Sequence, residues 1–411
     1  MSVVDDRRVG RSFVALYTLA MMGTSLVFIA PLLVTLPLKV AALVGIARAP
    51  DSLALVAGVG ALVAMVGNPV FGALSDRTTS RWGMRRPWMV LGWAGGSAGT
   101  LIIAVAPTVP VVLAGWCLAQ LSFNALLAAL IAVLPDQVPA SQRGAVAGVL
   151  GVCVPVASVS GTFLVQLFTA DDLAMFLVPC AIGGVPVLLF AATLRDRTLA
   201  VADRPGWSPR AFLRTFVVNP RTSPDFAWAF ASRFLFVLAY AFLTTYQAYY
   251  LLNGIGSAEA EVPRQIFLAT LVQAAGVVAA SLLGGPLSDR TGRRKVFVAT
   301  AALVYGLALF VIAGAGGLGG FLIGMAIGGV GFGVYVAVDL ALVADVLPDR
   351  EHVAKDLGVF NIAGALPYSV APAIAPLILA AGGGSYGVLY AVAGACAVAA
   401  AVAVLPVKRV R

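Results

Sequence analysis

Two opposite charges, Arg233 and Asp339, lie deep inside long apolar runs of the sequence. Arg233 follows Asp225 by eight residues, about 12 Å along a helix, and Asp339 precedes Pro348 by nine residues, about 13 Å. An unpaired charge at this depth in a membrane costs about 2.5–3.5 kcal/mol, so we expect the two charges to pair or to reach water. A carboxylate that takes up a proton beside a guanidinium indicates proton coupling. A static ion pair that fixes helix packing is the alternative.

A second feature is a short string that occurs once in each half of the chain. Ser-Asp-Arg-Thr is centred on Asp76 and Arg77, and again on Asp289 and Arg290, 213 positions later. Each copy is followed by a basic cluster, and these clusters contain Arg81, Arg85 and Arg86 in the first half and Arg293, Arg294 and Lys295 in the second. A loop duplicated at matching positions of two apolar halves predicts two related bundles.

These loops carry charges that can link helix ends. An aspartate there can accept hydrogen bonds from the N-terminal amides of a neighbouring helix. The arginines can pair with acids on adjacent helix ends, and Asp136 and Asp345, at the ends of the fourth and tenth apolar runs, are the candidate partners. Such links predict gating loops that hold one conformation closed. The alternatives are that the arginines only fix membrane topology and that the acids only solvate helix ends.

Composition indicates a membrane protein. Apolar residues form 61% of the 411-residue chain and charged residues 11%, against about 25% charged in soluble proteins. The net charge of +9 resides in short loops, so it does not predict nucleic-acid binding. The four cysteines all lie inside apolar runs, and we find no Walker loop, GxSxG, HExxH or histidine cluster. We therefore expect neither an enzyme nor a metal or cofactor site.

Runs of about 20 apolar residues predict membrane-spanning helices. Twelve such runs occur, at 13–38, 52–73, 88–107, 110–134, 144–168, 173–194, 226–252, 264–286, 296–315, 318–346, 355–380 and 386–406. The first run follows Arg7, Arg8 and Arg11 but is too long for a signal peptide, so it predicts a span.

The distribution of basic residues predicts the orientation. With both termini in the cytoplasm, only Lys39, Arg48 and Arg264 fall in outer loops and Arg233 within a span, which leaves 23 of the 27 basic residues inside. We predict an N-terminal six-helix bundle at 1–194, a cytoplasmic linker at 195–225 and a C-terminal six-helix bundle at 226–411. Ser208 and Pro209 begin a short amphipathic helix within that linker, or the linker is plain.

The loop sequences resemble those of the major facilitator superfamily over essentially the whole chain. The family pattern Gly-x-x-x-Asp-Arg-x-Gly-Arg-Arg matches Gly285 to Arg294, and the first copy is longer. Residues 80–88 of this first copy, which run from Ser-Arg-Trp-Gly to Arg-Pro-Trp, are similar to the corresponding loop of the glycoside–pentoside–hexuronide and sucrose-transporter-like branch. Asn68 stands where the glycoside symporters place a cation-binding aspartate, so this branch's sodium site is not expected here.

The resemblance implies the major facilitator fold, with a substrate site near the membrane midplane between the halves and lined by spans 1, 4, 7 and 10. The polar residues of those spans and of span 11 are the candidate substrate ligands: Tyr17, Gln120, Asn124, Tyr240, Thr244, Gln247, Tyr335 and Asn361. Amides and phenols among apolar walls suit a neutral, hydroxyl-bearing or amphipathic solute. Each of them alone fits a helix-packing hydrogen bond equally well.

Three functions follow as hypotheses. The first is a proton-coupled symporter of a sugar or glycoside-like solute in the plasma membrane (the inner membrane of a bacterium), acting as a monomer whose partners are its substrate, protons and lipids. The second is proton-coupled efflux of amphipathic compounds, favoured by the sparse polarity of the N-terminal half. The third is a membrane sensor or assembly factor without transport, against which the duplicated loops argue.

Overall fold

A computed structural model describes residues 8–204, 206, 224–346 and 360–407. The part of the chain that it describes contains twelve helices long and apolar enough to cross a membrane, which confirms the predicted all-α architecture. We label them α1 to α12 in chain order: Arg11–Val44, Ala49–Ser75, Arg86–Val105, Val109–Gln137, Ser141–Leu167, Asp172–Thr193, Pro224–Gly254, Glu259–Gly285, Arg294–Ala313, Leu318–Asp339, Phe360–Ala381 and Tyr386–Ala403.

The chain divides into two compact units. Unit 1 falls within Met1–Gly45 and Val59–Gly206, and unit 2 within Ile46–Gly58 and Trp207–Arg411. The units differ from the predicted bundles at residues 46–58, which group with unit 2 although they precede most of unit 1 in sequence. The predicted amphipathic helix at Ser208 and Pro209 lies outside the described residues.

Close helix packing in each unit depends on glycine. In unit 1, α3 packs on α4, and a Cβ on Gly99 would lie 2.6 Å from the Ala119 nitrogen. In unit 2, α10 packs on α8 and α9, and a Cβ on Gly331 would lie 2.8 Å from the Tyr305 nitrogen. The glycine-rich stretch of α10 is therefore a packing surface, as small residues are in other membrane helices.

The first helix of each unit contains one π-helical turn, where the backbone hydrogen bonds span five residues. In α1 this turn is Pro31–Thr35, which interrupts the α-helix between Ala30 and Leu36. In α7 it is Tyr250–Gly254, directly after the α-helix Pro224–Tyr249. In α1 the Leu36 N–H donates to the Pro31 carbonyl, which is the five-residue spacing of this turn.

Candidate functional site

Arg233 and Asp339 form an ion pair inside unit 2. Arg233 lies on α7, and its Nη1 donates to Oδ2 of Asp339 on α10 at 2.5 Å. The α-helix continues beyond Asp339 to Val346. The side chains are 19% and 8% exposed, so the two charges neutralise each other away from water. The predicted pairing is therefore present in the structure, whereas the role of the pair in proton coupling stays a prediction.

The guanidinium of Arg233 has further close neighbours on α11. Its Cζ lies 5.0 Å from the centroid of the Phe360 ring, a cation–π distance. A Cβ on Gly364 would lie 3.3 Å from Nη2 and 3.4 Å from Nε, so the glycine leaves space for the flat guanidinium. The Nε atom is buried and has no hydrogen-bond partner in the described part of the chain. The arginine thus keeps one donor that neither Asp339 nor its other neighbours satisfy.

A cluster of aromatic rings on α7, α9 and α10 includes Tyr335, a neighbour of Asp339. Tyr335, one turn before Asp339, stacks on Phe236 with ring centroids 3.6 Å apart. Tyr240 stacks on Phe332 at 4.5 Å, and Tyr305 lies 5.1 Å from Phe236. The Tyr335 hydroxyl interacts with the carboxylate of Asp339. The Tyr305 hydroxyl is buried and has no hydrogen-bond partner among the described residues.

The arrangement has two chemical capacities. Unsatisfied buried polar atoms cost about 1–3 kcal/mol each, so a ligand that bonds to the Tyr305 hydroxyl or to Nε of Arg233 recovers that free energy. A proton on Asp339 would also remove the charge that neutralises Arg233, and so weaken the link between α7 and α10.

The polar residues of unit 1 form a chain of amides. Asn124 on α4 donates from Nδ2 to the Gln120 carbonyl at 2.8 Å, and its Oδ1 accepts from Asn68 of α2 at 3.4 Å. The Gln120 side chain lies within 3.4 Å of the same Asn124 nitrogen. Two of the predicted ligands, Gln120 and Asn124, thus lie together, and Asn68 joins them.

Tyr17 makes a helix-packing hydrogen bond, which was the alternative role for each candidate ligand. It is fully buried, its hydroxyl donates to the Leu130 carbonyl at 2.8 Å, and its ring stacks on Phe190 at 5.3 Å. The residue ties α1 to α4 and α6. The hydroxyl hydrogen of Tyr17 is therefore already engaged within unit 1.

Three other predicted ligands lie apart from the ion pair or have their polar group engaged. Thr244 donates to the Tyr240 carbonyl within its own helix, at 3.0 Å. Gln247 is buried fourteen residues after Arg233, about 21 Å along α7. Asn361 is exposed at the start of α11. Of the eight predicted ligands, only Tyr240 and Tyr335 lie in the aromatic surroundings of the pair.

The loop between α2 and α3 is organised by Arg85. Its Nη2 lies 2.6 Å from Oδ1 of Asp76, its Nε 2.9 Å from Oδ2 of Asp136, and its Nη1 donates to Ser75. Burial lowers the pKa of the Arg85 guanidinium, but the hydrogen bonds and charges of Asp136 and Asp76 more than offset this, so the pKa lies above its ordinary value. The predicted partnership of Asp136 with a loop arginine is present. Arg77 in the same loop is half-buried, and its Nη1 has no hydrogen-bond partner among the described residues.

Asp196, which the sequence did not single out, holds the start of α3. Its Oδ2 accepts from the backbone nitrogens of Arg85 at 2.6 Å and Arg86 at 2.9 Å. An acid at a helix N-terminus is favoured by the unpaired amides and the helix dipole. The Met84 nitrogen also donates to the Arg197 carbonyl at 3.0 Å. Residues 196 and 197, assigned above to the linker, therefore belong to the contacts of unit 1. The only signal for them was a further Asp-Arg pair.

In each unit, a basic side chain after the duplicated loop bonds to the end of another helix. Gly83 and Gly292 both have positive φ, 105° and 62°, and a basic residue follows three positions after each. In unit 1 that residue is Arg86, whose Nε and Nη2 donate to carbonyls at the end of α6. In unit 2 it is Lys295, whose Nζ donates to the Leu405 and Val407 carbonyls after α12. A cation at a helix C-terminus is favoured by the exposed carbonyls.

The remaining loop residues of unit 2 are described only in part. Arg290 and Arg293 are exposed, and Arg294 is half-buried. The side chains of Asp289 and Asp345 lie outside what the structure describes, so their predicted partners stay predictions.

The fold and these sites define a multi-pass membrane protein built from two related helical units. The sequence profile of the Major Facilitator Superfamily matches residues 13–263 and 263–411. The chain belongs to this superfamily.

Curated relatives match a limited part of the chain. The multidrug resistance protein MdtL of Klebsiella pneumoniae (strain 342) is 32% identical over 127 residues, which is 31% of this chain and 31% of the relative. MdtL of Shewanella oneidensis is 34% identical over 127 residues, with the same coverage. The chain thus matches less than a third of the length of these relatives. Both relatives are named as multidrug resistance proteins, so they do not support the glycoside branch that the loop sequence suggested.

Solved structures share the fold over nearly the full length. A mutant of the nucleoside transporter NupG has a TM-score of 0.76 at 12% identity, covering 96% of this chain and 99% of that one. The D-xylose-proton symporter has a TM-score of 0.71 at 14% identity, covering 96% and 97%. The human organic anion transporter MFSD10 has a TM-score of 0.68 at 17% identity, covering 96% and 99%. At these identities the likeness concerns the fold.

Proposed function

We propose that the protein is a secondary active transporter that couples the movement of a small organic solute to protons. The observation that carries this proposal is the buried Arg233–Asp339 pair in unit 2. Buried ionisable pairs inside membrane spans mark proton relays and substrate paths, because a charge kept there without function is costly. Membership of the Major Facilitator Superfamily supports the same reading.

In the proposed cycle Asp339 takes up a proton and releases Arg233. The freed guanidinium stays over the Phe360 ring, which can offset part of the lost attraction. The contact between α7 and α10 then weakens, and unit 2 can change its helix arrangement. Reversal on the other side of the membrane returns the proton. Such a switch lets the gradient drive a conformational change that a ligand also biases.

For the substrate we propose a sugar or glycoside-like solute. The amide chain of Gln120, Asn124 and Asn68 offers donors and acceptors suited to hydroxyl groups.

A second candidate is proton-coupled efflux of amphipathic compounds. Two observations favour it. The matching curated relatives are multidrug resistance proteins. The surroundings of the ion pair are mainly aromatic, with Phe236, Phe332 and Phe360 contributing rings without polar atoms.

Transport by purified protein in liposomes tests the proposal. We expect a pH gradient to drive net movement of at least one compound from a panel of radiolabelled pentoses, hexoses, β-glycosides and lipophilic cations. Gradients of both signs should be applied, since a symporter accumulates solute with the inward proton gradient and an antiporter against it. Protein-free liposomes with the same gradient serve as the control. Solute movement that never responds to either gradient would contradict proton coupling.

We also propose that both termini face the cytoplasm, because the basic residues concentrate in the loops on that side. Alkaline phosphatase, which is active only outside the cytoplasm, should be inactive when fused after Arg411 and active when fused into the loop between α1 and α2. The reverse pattern would invert the topology.

A further inference from the structure

A crevice in unit 2 is separate from the ion pair. It lies where α2 and α12 begin and where α7 and α11 end, and its volume is about 350 Å³. Ligand pockets for small molecules are about 300–1,000 Å³, so the crevice has room for a compact organic molecule. Asn253 at its wall is twenty residues after Arg233, about 30 Å along α7. A molecule bound there would not touch the Arg233–Asp339 pair.

One unpaired carboxylate lines the crevice. Asp51 lies in the first turn of α2, is exposed, and forms no ion pair with any residue that the structure describes. Arg48 is exposed one turn earlier but does not line the crevice. The crevice therefore carries a negative charge that only a ligand or solvent neutralises.

Two uncharged polar groups lie on the same wall. Asn253 Nδ2 donates to the Tyr386 hydroxyl at 3.4 Å. This bond occupies one amide hydrogen and leaves the Asn253 oxygen as an acceptor. Carboxylate, amide oxygen and phenol oxygen together are acceptors for a group with several N–H donors. A metal ion is a poorer fit, because no group of three His, Cys, Asp or Glu side chains occurs in the described residues.

The other walls are apolar. Ile46, Pro376 and Leu379 face the crevice with hydrocarbon surface, and the small side chain of Ala380 leaves it open. A ligand that satisfies both kinds of wall carries a positive charge at one end and an apolar body at the other.

We propose that this crevice binds a small organic ammonium ion whose amine points to Asp51 and whose hydrocarbon part packs on Leu379 and Pro376. The site is distinct from the transport site proposed above and does not depend on it. Its ligand class, a primary or secondary amine on an aromatic or branched apolar group, differs from the neutral sugar proposed as substrate.

Binding of phenethylammonium to the full chain in lipid nanodiscs, measured by isothermal titration calorimetry with empty nanodiscs as background, tests this inference. We expect saturable binding of one molecule per chain. The neutral analogue 2-phenylethanol should bind at least tenfold more weakly, because it brings no charge to Asp51. Equal affinity for the two compounds, or no saturable heat with the ammonium, would overturn the proposal.

Variants locate the binding. Asp51→Asn should weaken ammonium binding at least tenfold, and Ala380→Phe should abolish it by filling the crevice. Glu259→Gln removes an exposed carboxylate of the same unit outside the crevice and should stay within twofold of the wild type, as should Asp339→Asn. Equal losses in Asp51→Asn and Glu259→Gln would mean general surface attraction. A loss confined to Asp339→Asn would place the ligand at the ion pair. Either result would overturn the proposal.

Discussion

Replacement of Asp339 by asparagine is expected to abolish solute accumulation driven by a pH gradient while leaving solute exchange largely intact. Asparagine keeps the size of the side chain and an oxygen that can accept from Arg233, but it cannot gain or lose a proton. With one proton per solute, a gradient of one pH unit supports about tenfold accumulation, equivalent to about 1.4 kcal/mol. We expect that ratio to fall to about one in the variant, with exchange within about threefold of the wild type.

The measurement is a pair of proteoliposome assays on the same preparation, one of net accumulation and one of counterflow exchange. Glu259→Gln, which removes an exposed carboxylate from the same unit, is the matched control and should accumulate normally. Gradient-driven accumulation that survives in Asp339→Asn would show that the coupling site is elsewhere.

If the ion pair only fixes helix packing, a different outcome is expected. Measurements of the free energy of unfolding distinguish this case from proton coupling. Arg233→Leu alone leaves a buried carboxylate without its partner, and breaking such a pair costs about 3–5 kcal/mol. Replacing both residues with leucine should recover most of that loss. If the double variant is stable and also retains gradient-driven accumulation, the pair serves only helix packing.

The second large effect is expected at the loop between α2 and α3. Arg85→Leu removes a nearly buried guanidinium, 6% exposed, from two carboxylates and a hydroxyl. We expect the free energy of unfolding to fall by roughly 2–3 kcal/mol, about that of one or two charged hydrogen bonds, since solvent screens the exposed carboxylates. Asp76→Asn, at a side chain 58% exposed, should leave stability near that of the wild type but lower the transport rate severalfold.

Asp172→Asn provides the control for this comparison. Asp172 is also 58% exposed and pairs with Lys39 at 3.1 Å, but it lies at the opposite end of the helices of unit 1. Thermal unfolding in detergent gives the stability of each variant, and proteoliposome transport per folded protein gives the rate. Equal transport losses in Asp76→Asn and Asp172→Asn would show that the loop acts no differently from an ordinary surface pair.

Arg86 and Lys295 show how the duplication survives where the loop lengths differ. From Asp76 to Gly83 there are seven positions, but from Asp289 to Gly292 only three, so the first loop has four more residues. The glycine with positive φ, and the cation three positions later, nevertheless recur in both units. An alignment that matches Asp76 with Asp289 does not place Arg86 opposite Lys295. The shared contact with helix-end carbonyls identifies the corresponding basic residues.

The sequence by itself determined the number of helices, their approximate ends and the duplicated loops. These depend on the length of apolar runs and on turn residues, which lipid and the hydrogen-bonding needs of the backbone set locally. It also placed Arg233 and Asp339 at similar depth, since depth along a helix follows from residue count alone.

Only the tertiary structure decided which faces of the helices meet. Spans such as α4 and α10 carry few polar residues, because both lipid and the protein interior accept hydrocarbon, so no continuous polar face shows how they are rotated. For Tyr17 the sequence left substrate contact and helix packing equally open, and the structure shows that its ring packs on Phe190. No pattern in the sequence indicated that Tyr335 stacks on Phe236. Asp196 was missed for a related reason: its partners are backbone amides 110 residues away, and backbone groups leave no mark in a sequence.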